Sequence, residues 1–218
     1  MKKYPFTLML LILFMTTVAC SNETVNEDES DQVKEEITEK EDVVEENLTE
    51  EETEELILEK SKEVLKLLEN RNEEELATYV HDQKGVVFSP HVYIEEDAIT
   101  FDKDKIKTFS KETKTYTWGH QDGSGEPIEL TPSNYYQEYI FDGNYLKADE
   151  VNYDPNEPRG NTKRNISELF PNSHTVEYYI KGTEENSNMD WKALNLVFEK
   201  NAEGEWKLIA IVHDQWTI

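Results

Sequence analysis

The chain has 218 residues, a formal net charge of -26 and one cysteine, Cys20. That charge excludes a nucleic-acid binder, which needs a basic stripe to displace counterions from phosphates. A lone cysteine excludes an internal disulfide, so the fold is held by its core, and the length allows one ordinary domain with an extension.

Lys2 and Lys3 precede an apolar run from Phe6 to Val18 that closes on small residues. A charged start, a short apolar stretch and a small residue before the break read as a secretory signal over residues 1–19, too short to remain as a membrane span. The segment Thr17-Val18-Ala19-Cys20 resembles the lipobox of bacterial lipoprotein signals, with Thr17 where that family prefers leucine. The resemblance implies cleavage before Cys20, lipidation of its sulfur (diacylglyceryl and palmitate-type chains), and residence at the extracytoplasmic face of the cell membrane. A plain secreted protein with a free thiol is the alternative.

Residues 20–53 read as an acidic disordered tether; an intermittent helix is the alternative, since glutamate is a good helix former, but the block of like charges works against it. From Ser21 to Glu55 there are 17 acids against Lys34 and Lys40, with no aromatic, proline or glycine. Its few apolar residues bury too little to offset ordering entropy. About 35 such residues span on the order of 30 Å as a random coil, further with self-repulsion, and an anionic leaflet pushes them outward.

The globular domain is expected over residues 54–218. Ile57, Ser61, Val64, Leu65 and Leu68 form one stripe of a helix. Asn72 with Glu75 caps a second helix from Glu73 to about Val80. Val86–Phe88, Val92–Ile94 and Ala98–Phe101 read as short strands, and Asp102 opens a short helix through Ile106 and Phe109. Thr115–Trp118 is a strand, Gly119–Pro127 a polar loop, and Thr131-Pro132 starts a helix ending at Asp142-Gly143. Tyr145–Val151 reads as a strand, Asn152–Arg164 as a loop, and Ile166–Phe170 as a short helix.

Thr175–Lys181, Trp191–Glu199 and Glu205–Val212 have strand composition, with a hairpin turn at Asn201–Gly204. In the last, alternation puts Trp206, Leu208, Ala210 and Val212 on one face and Lys207, Ile209, Ile211 and His213 on the other. Both faces are largely apolar, which places this strand inside a sheet covered on both sides.

The order predicts an α+β domain, a curved antiparallel sheet wrapped around N-terminal helices. The charged first helix, the long terminal hairpin, and the stretches Tyr79–Pro90 and Val212–Ile218 resemble the cone-shaped nuclear transport factor 2-like superfamily, and within it a group of uncharacterised bacterial secreted proteins. That superfamily includes isomerases, dehydratases and plain binding modules, so the resemblance leaves activity open.

Six residues are the candidate pocket: His81, Asp82, Trp118, His120, His213 and Asp214. The triplet His-Asp-Gln occurs at 81–83 and 213–215, and convergence of the two would supply a general acid and base or metal ligands. Against that, His81 sits near a helix end and His213 near a strand end, where each has a structural use. Trp118–Glu126 is a glycine-rich polar loop with neither the phosphate-loop nor the hydrolase-elbow spacing. Asp149, Glu150, Asn152, Asp154 and Asn156 are oxygen-rich but lack the glycine of a calcium loop.

Tyr178 and Tyr179 cannot both enter one core, so one face of the sheet is free to line a contact surface. The expectation is a membrane-anchored, non-catalytic domain without a cofactor or metal, binding a small molecule, glycan, peptide or envelope partner through its concave aromatic face. A pocket enzyme using the His-Asp pairs is the alternative.

Overall fold

In a computed structural model, residues 48–217 are described. The expected signal, Cys20 and most of the tether lie outside the described residues.

The first helix, α1, runs Glu50–Glu69 and starts four residues before the expected boundary. Thr49 is its N-cap: its hydroxyl accepts the Glu52 amide, while the Glu52 carboxylate accepts the Thr49 amide at 2.8 Å. This reciprocal box satisfies two otherwise orphaned donors and places three acids at the positive end of the helix. The acidic stretch therefore becomes helical before its apolar stripe begins. Ile57, Ser61, Val64, Leu65 and Leu68 are the buried residues of α1, as their spacing requires. A second helix, α2 (Glu73–Tyr79), follows Asn72 as its cap.

Eight strands follow: β1 (Val86–Ser89), β2 (Thr100–Phe101), β3 (Tyr116–His120), β4 (Pro127–Leu130), β5 (Glu150–Tyr153), β6 (Ser173–Ile180), β7 (Lys192–Lys200) and β8 (Trp206–Gln215). Six make a curved sheet in the order β2-β1-β8-β7-β6-β5, antiparallel except for β1 beside β8. β3 and β4 form a separate hairpin. Short helices α3 (Lys103–Ile106), α4 (Pro132–Tyr135) and α5 (Ile166–Leu169) connect them, α4 continuing as a π-turn over Tyr136–Ile140. The chain is thus α+β, with helices against a mainly antiparallel sheet.

Several local expectations are corrected. Pro127–Leu130 is a strand, because Tyr116 and Thr117 pair with Leu130 and Glu129. Tyr145–Lys147 is a 3-10 turn, so the expected strand begins only at Glu150. Val92–Ile94 is no strand: Val92 and Ile94 are buried as a cover for the far side of the sheet.

Two hydrophobic cores result. On the inner face Leu194, Leu196, Phe198, Leu208 and Ile211 pack with α1, α2 and the aromatics Phe88, Trp118 and Tyr135. On the outer face Val197, Ile209, Ala210 and Val212 meet Val92, Ile94 and Ile166. The Asn165 amide pins the two outer segments together, accepting the Ile94 amide at 2.8 Å and donating to its carbonyl at 3.0 Å.

A bulge decides which β8 residues face inward. Val197 pairs with Ala210 but Phe198 with Leu208, so Ile209 is an extra residue on β8. Simple alternation fails there: Leu208 and Ile211 belong to the inner core, and Ile209, Ala210 and Val212 to the outer. Beyond the bulge ordinary alternation resumes, with His213 on the inner face and Asp214 on the outer.

Candidate functional site

Of the six candidate residues, His81 and Asp82 lie apart, while His213 and His120 both meet the Pro90-His91 turn. The His81 amide donates to Leu208 O at 3.0 Å, near the start of β8. His213 lies five residues further along that strand, roughly 16 Å at strand rise. Each imidazole has structural partners. His81 Nδ1 accepts the Gln83 and Lys84 amides at 3.2 and 3.1 Å, closing a turn. Asp82 is exposed, bonded to Lys103 and, at 3.0 Å, to Asn201.

His213 is completely buried on the inner face, with Nδ1 3.2 Å from Pro90 O and Nε2 3.4 Å from Asp142 Oδ2. The same carboxylate accepts Lys192 Nζ and the Tyr145 hydroxyl, both at 2.6 Å. Burial opposes ionisation of Asp142, but hydrogen bonding and attraction from His213, with Lys192 and Tyr145, outweigh it and hold the carboxyl well below its usual range. Tyr139 meets His213 edge-on at 5.5 Å. This cluster is an internal brace.

Trp118 stacks on Tyr135 at 3.8 Å and donates its indole N–H to Leu130 O. His120 is exposed and faces Glu95 at 3.0 Å, while its carbonyl meets Nε2 of buried His91 at 3.0 Å. Burial lowers the His91 imidazole despite nearby Asp122.

The concave face is not an open aromatic surface. One space between it and the helices, lined by Leu68, Leu76, Phe88, Phe109, Tyr136 and Ile211, holds about 20 Å³, roughly one water. The aromatics expected to line a pocket fill it.

The outer face carries a different arrangement. Register places Asn152, Glu177 and Asn195 side by side across β5, β6 and β7, with Glu150, Tyr179, Ala193 and Asp214 in the next row. Arg159 and Arg164 come down on them from the loop after β5. Arg159 Nε donates to Glu177 Oε1 at 2.7 Å and Nη2 to Glu150 at 2.8 Å, with the guanidinium 3.7 Å from the Tyr179 ring. Arg164 Nη2 donates to Asn195 Oδ1 at 2.8 Å, and Nη1 lies 3.7 Å from Glu177 Oε2. Glu177, only 1% exposed, leaves Oε2 without a hydrogen bond among the described residues. Burial raises the Asp214 carboxyl to about 7, against the pull of Arg164. Gly160 passes over Trp191 so closely that a Cβ there would lie 3.0 Å from the indole.

Beside this network lies a cleft of about 600 Å³, floored by Glu177, Tyr179 and Trp191 and roofed by Pro155–Arg159. Buried charge at the edge of a cleft is the pattern that marks functional sites. The sequence reading reached Asp214 but missed Glu177, Arg159, Arg164 and Trp191. A glutamate between Val176 and Tyr178 in an apolar strand was the available signal. In the oxygen-rich run from Asp149 to Asn156, Asp149, Glu150, Asn152 and Asp154 each hold a protein partner. No cluster of metal-ligating side chains occurs among the described residues.

No described helix is long and apolar enough to cross a membrane. No protein-family model, curated protein or solved structure matches the chain.

Proposed function

We propose that this protein is a lipid-anchored extracytoplasmic binding protein. In this reading Cys20 carries the lipid, the acidic segment spaces the domain from the membrane, and a nuclear transport factor 2-like cone presents its outer cleft to a ligand. The lipobox-like Val18-Ala19-Cys20 supports the anchor. The observation that carries the binding role is the contrast between the filled inner face, with about 20 Å³, and the outer cleft of about 600 Å³ over a buried charged network. Catalysis by paired His-Asp residues loses its basis, because His81 and His213 are engaged at opposite ends of β8 and Asp214 turns away from His213.

The test is membrane fractionation and photo-crosslinking in cells. Wild-type protein is expected in the membrane fraction and a Cys20→Ala variant outside it. A photoreactive residue replacing Asn156 in the cleft roof is expected to give an adduct absent when it replaces Ala202 in the distant hairpin. Equal fractionation of wild type and Cys20→Ala would overturn the anchor, and no adduct from position 156 would overturn the cleft.

A further inference from the structure

We infer that a second cleft, between the turn after β1, the loop joining β3 to β4 and the end of β8, binds the ammonium group of a primary amine. Its volume is about 270 Å³, and His91, Gln121, Asp122, Gln215, Trp216 and Thr217 line it. It shares no lining residue with the outer cleft.

His91 is the buried wall of this site, 7% exposed. Its Nε2 lies 3.0 Å from His120 O, and because a carbonyl only accepts, Nε2 carries the hydrogen. Burial holds the imidazole below its ordinary 6.5 despite nearby Asp122, so near neutral pH the other nitrogen, Nδ1, presents a lone pair. Nδ1 makes no hydrogen bond among the described residues, and 3.7 Å from it stands Asp122 Oδ2, also an acceptor. Thr162 Oγ1 reaches that oxygen only at 3.4 Å. Two acceptors therefore face each other at the cleft with no hydrogen between them.

Their complement is a donor with at least two hydrogens and a positive charge. An alcohol has one hydrogen and satisfies one acceptor, while an amide has two but leaves the carboxylate uncompensated. Among the described residues Asp122 pairs with no lysine or arginine, and none lines the cleft. The net charge of -26 favours arrival of a cation. A primary ammonium gives one hydrogen to each acceptor, and to the carboxylate a charge-assisted one. Trp216, 36% exposed at the same cleft, offers its indole to the charge or to the alkyl stem. A quaternary ammonium brings charge without hydrogens, and an anion is repelled by both acceptors. A metal ion finds only these two strong ligands, since no cluster of three such side chains occurs among the described residues.

The test is NMR titration of the purified full chain in non-ionic detergent with n-butylammonium, read at the Trp216 indole N–H and the His91 imidazole. Saturable shifts are expected at both. Butyltrimethylammonium, which has the charge but no N–H, and butyramide, which has the hydrogens but no charge, should each bind at least tenfold more weakly. Asp122→Asn should weaken n-butylammonium at least tenfold. Glu126→Gln, which removes a carboxylate of the same loop outside the cleft lining, should leave it unchanged, and dispersed amide spectra verify that each variant is folded. The assignment is overturned by absence of saturable shifts in folded wild type, by equal binding of butyltrimethylammonium, or by equal affinities of wild type and folded Asp122→Asn. Equal losses in Asp122→Asn and Glu126→Gln overturn it as well, since they show attraction to the acidic surface at large. Nα-acetyl-lysine methylamide separates the sources of the amine: tighter binding than n-butylammonium assigns a partner's lysine side chain, weaker binding a free small amine. Crosslinking from position 156 bears on the outer cleft alone, so either site can fail without the other.

Discussion

His213 Nε2 lies 3.4 Å from Asp142 Oδ2 on the inner face, while the next residue, Asp214, lies on the outer in the row of Ala193 and Tyr179. Adjacent residues of one strand thus belong to two separate polar clusters, whose carboxyls Asp142 and Asp214 are shifted in opposite directions.

Asp142→Asn should be strongly destabilising. It leaves Lys192 and His213 facing a neutral amide, and breaking a buried pair costs about 3–5 kcal/mol. Because the folded carboxyl is held below its ordinary 3.8, its contribution is present above that pH and lost as pH falls through the folded value. Urea denaturation from pH 7 to pH 3 should show a steeper acid loss in wild type than in Asp142→Asn.

Asp214 has the opposite sign. Its carboxyl is raised from 3.8 to about 7, so the folded state holds a proton that the unfolded state has released, and stability declines as pH rises across that window. Asp214→Asn should match wild type near pH 4 and exceed it at pH 8, by roughly 4 kcal/mol at most. A constant difference across that range would contradict the assignment.

Gly85 sits at φ +69°, and a Cβ there would lie 2.6 Å from Phe101 O. Gly85→Ala combines left-handed strain with a backbone clash at the β1–β2 pairing, and should cost at least about 1–2 kcal/mol. The midpoint of chemical denaturation checks it.

Thr49→Ala removes one half of the α1 capping box, with an expected loss of about 1 kcal/mol. Hydrogen exchange should rise at Glu52 and Thr53, whose amides bond Thr49 Oγ1 and Thr49 O, while the Val64–Leu68 end keeps its protection. If those first amides exchange freely in wild type, the helix begins where the apolar stripe begins.

Periodicity made the larger elements legible. The Ile57–Leu68 stripe, the Asn72, Asp102 and Thr131 caps and the three long terminal strands stand where spacing puts them, because each rests on local chemistry. What escaped the sequence depends on contacts distant in the chain. The start of α1 was legible in Thr49 and Glu52 but was masked by a run of acids. The bulge at Ile209 reversed the expected face of Ala210, and no alternation pattern announces an extra residue. The site was hidden for the same reason: Glu177, Arg159 and Arg164 become neighbours only when the loop after β5 folds across the outer face. Tyr178 and Tyr179 were rightly divided between two faces. Tyr178 reaches Ser61 on α1 at 2.7 Å and Tyr179 floors the cleft.

The central claim is that the inner face is sealed and the outer cleft is open. The one native cysteine, Cys20, makes a clean thiol assay possible in a Cys20→Ala background. Labelling rates of Ile211→Cys, beside the 20 Å³ inner space, and Tyr179→Cys, on the cleft floor, should be compared natively and in urea. Rapid native labelling at position 179, protection of position 211 by at least a hundredfold, and equal rates once unfolded are expected. Equally rapid native labelling of both would contradict this, showing that the inner face is open and that a ligand site belongs there.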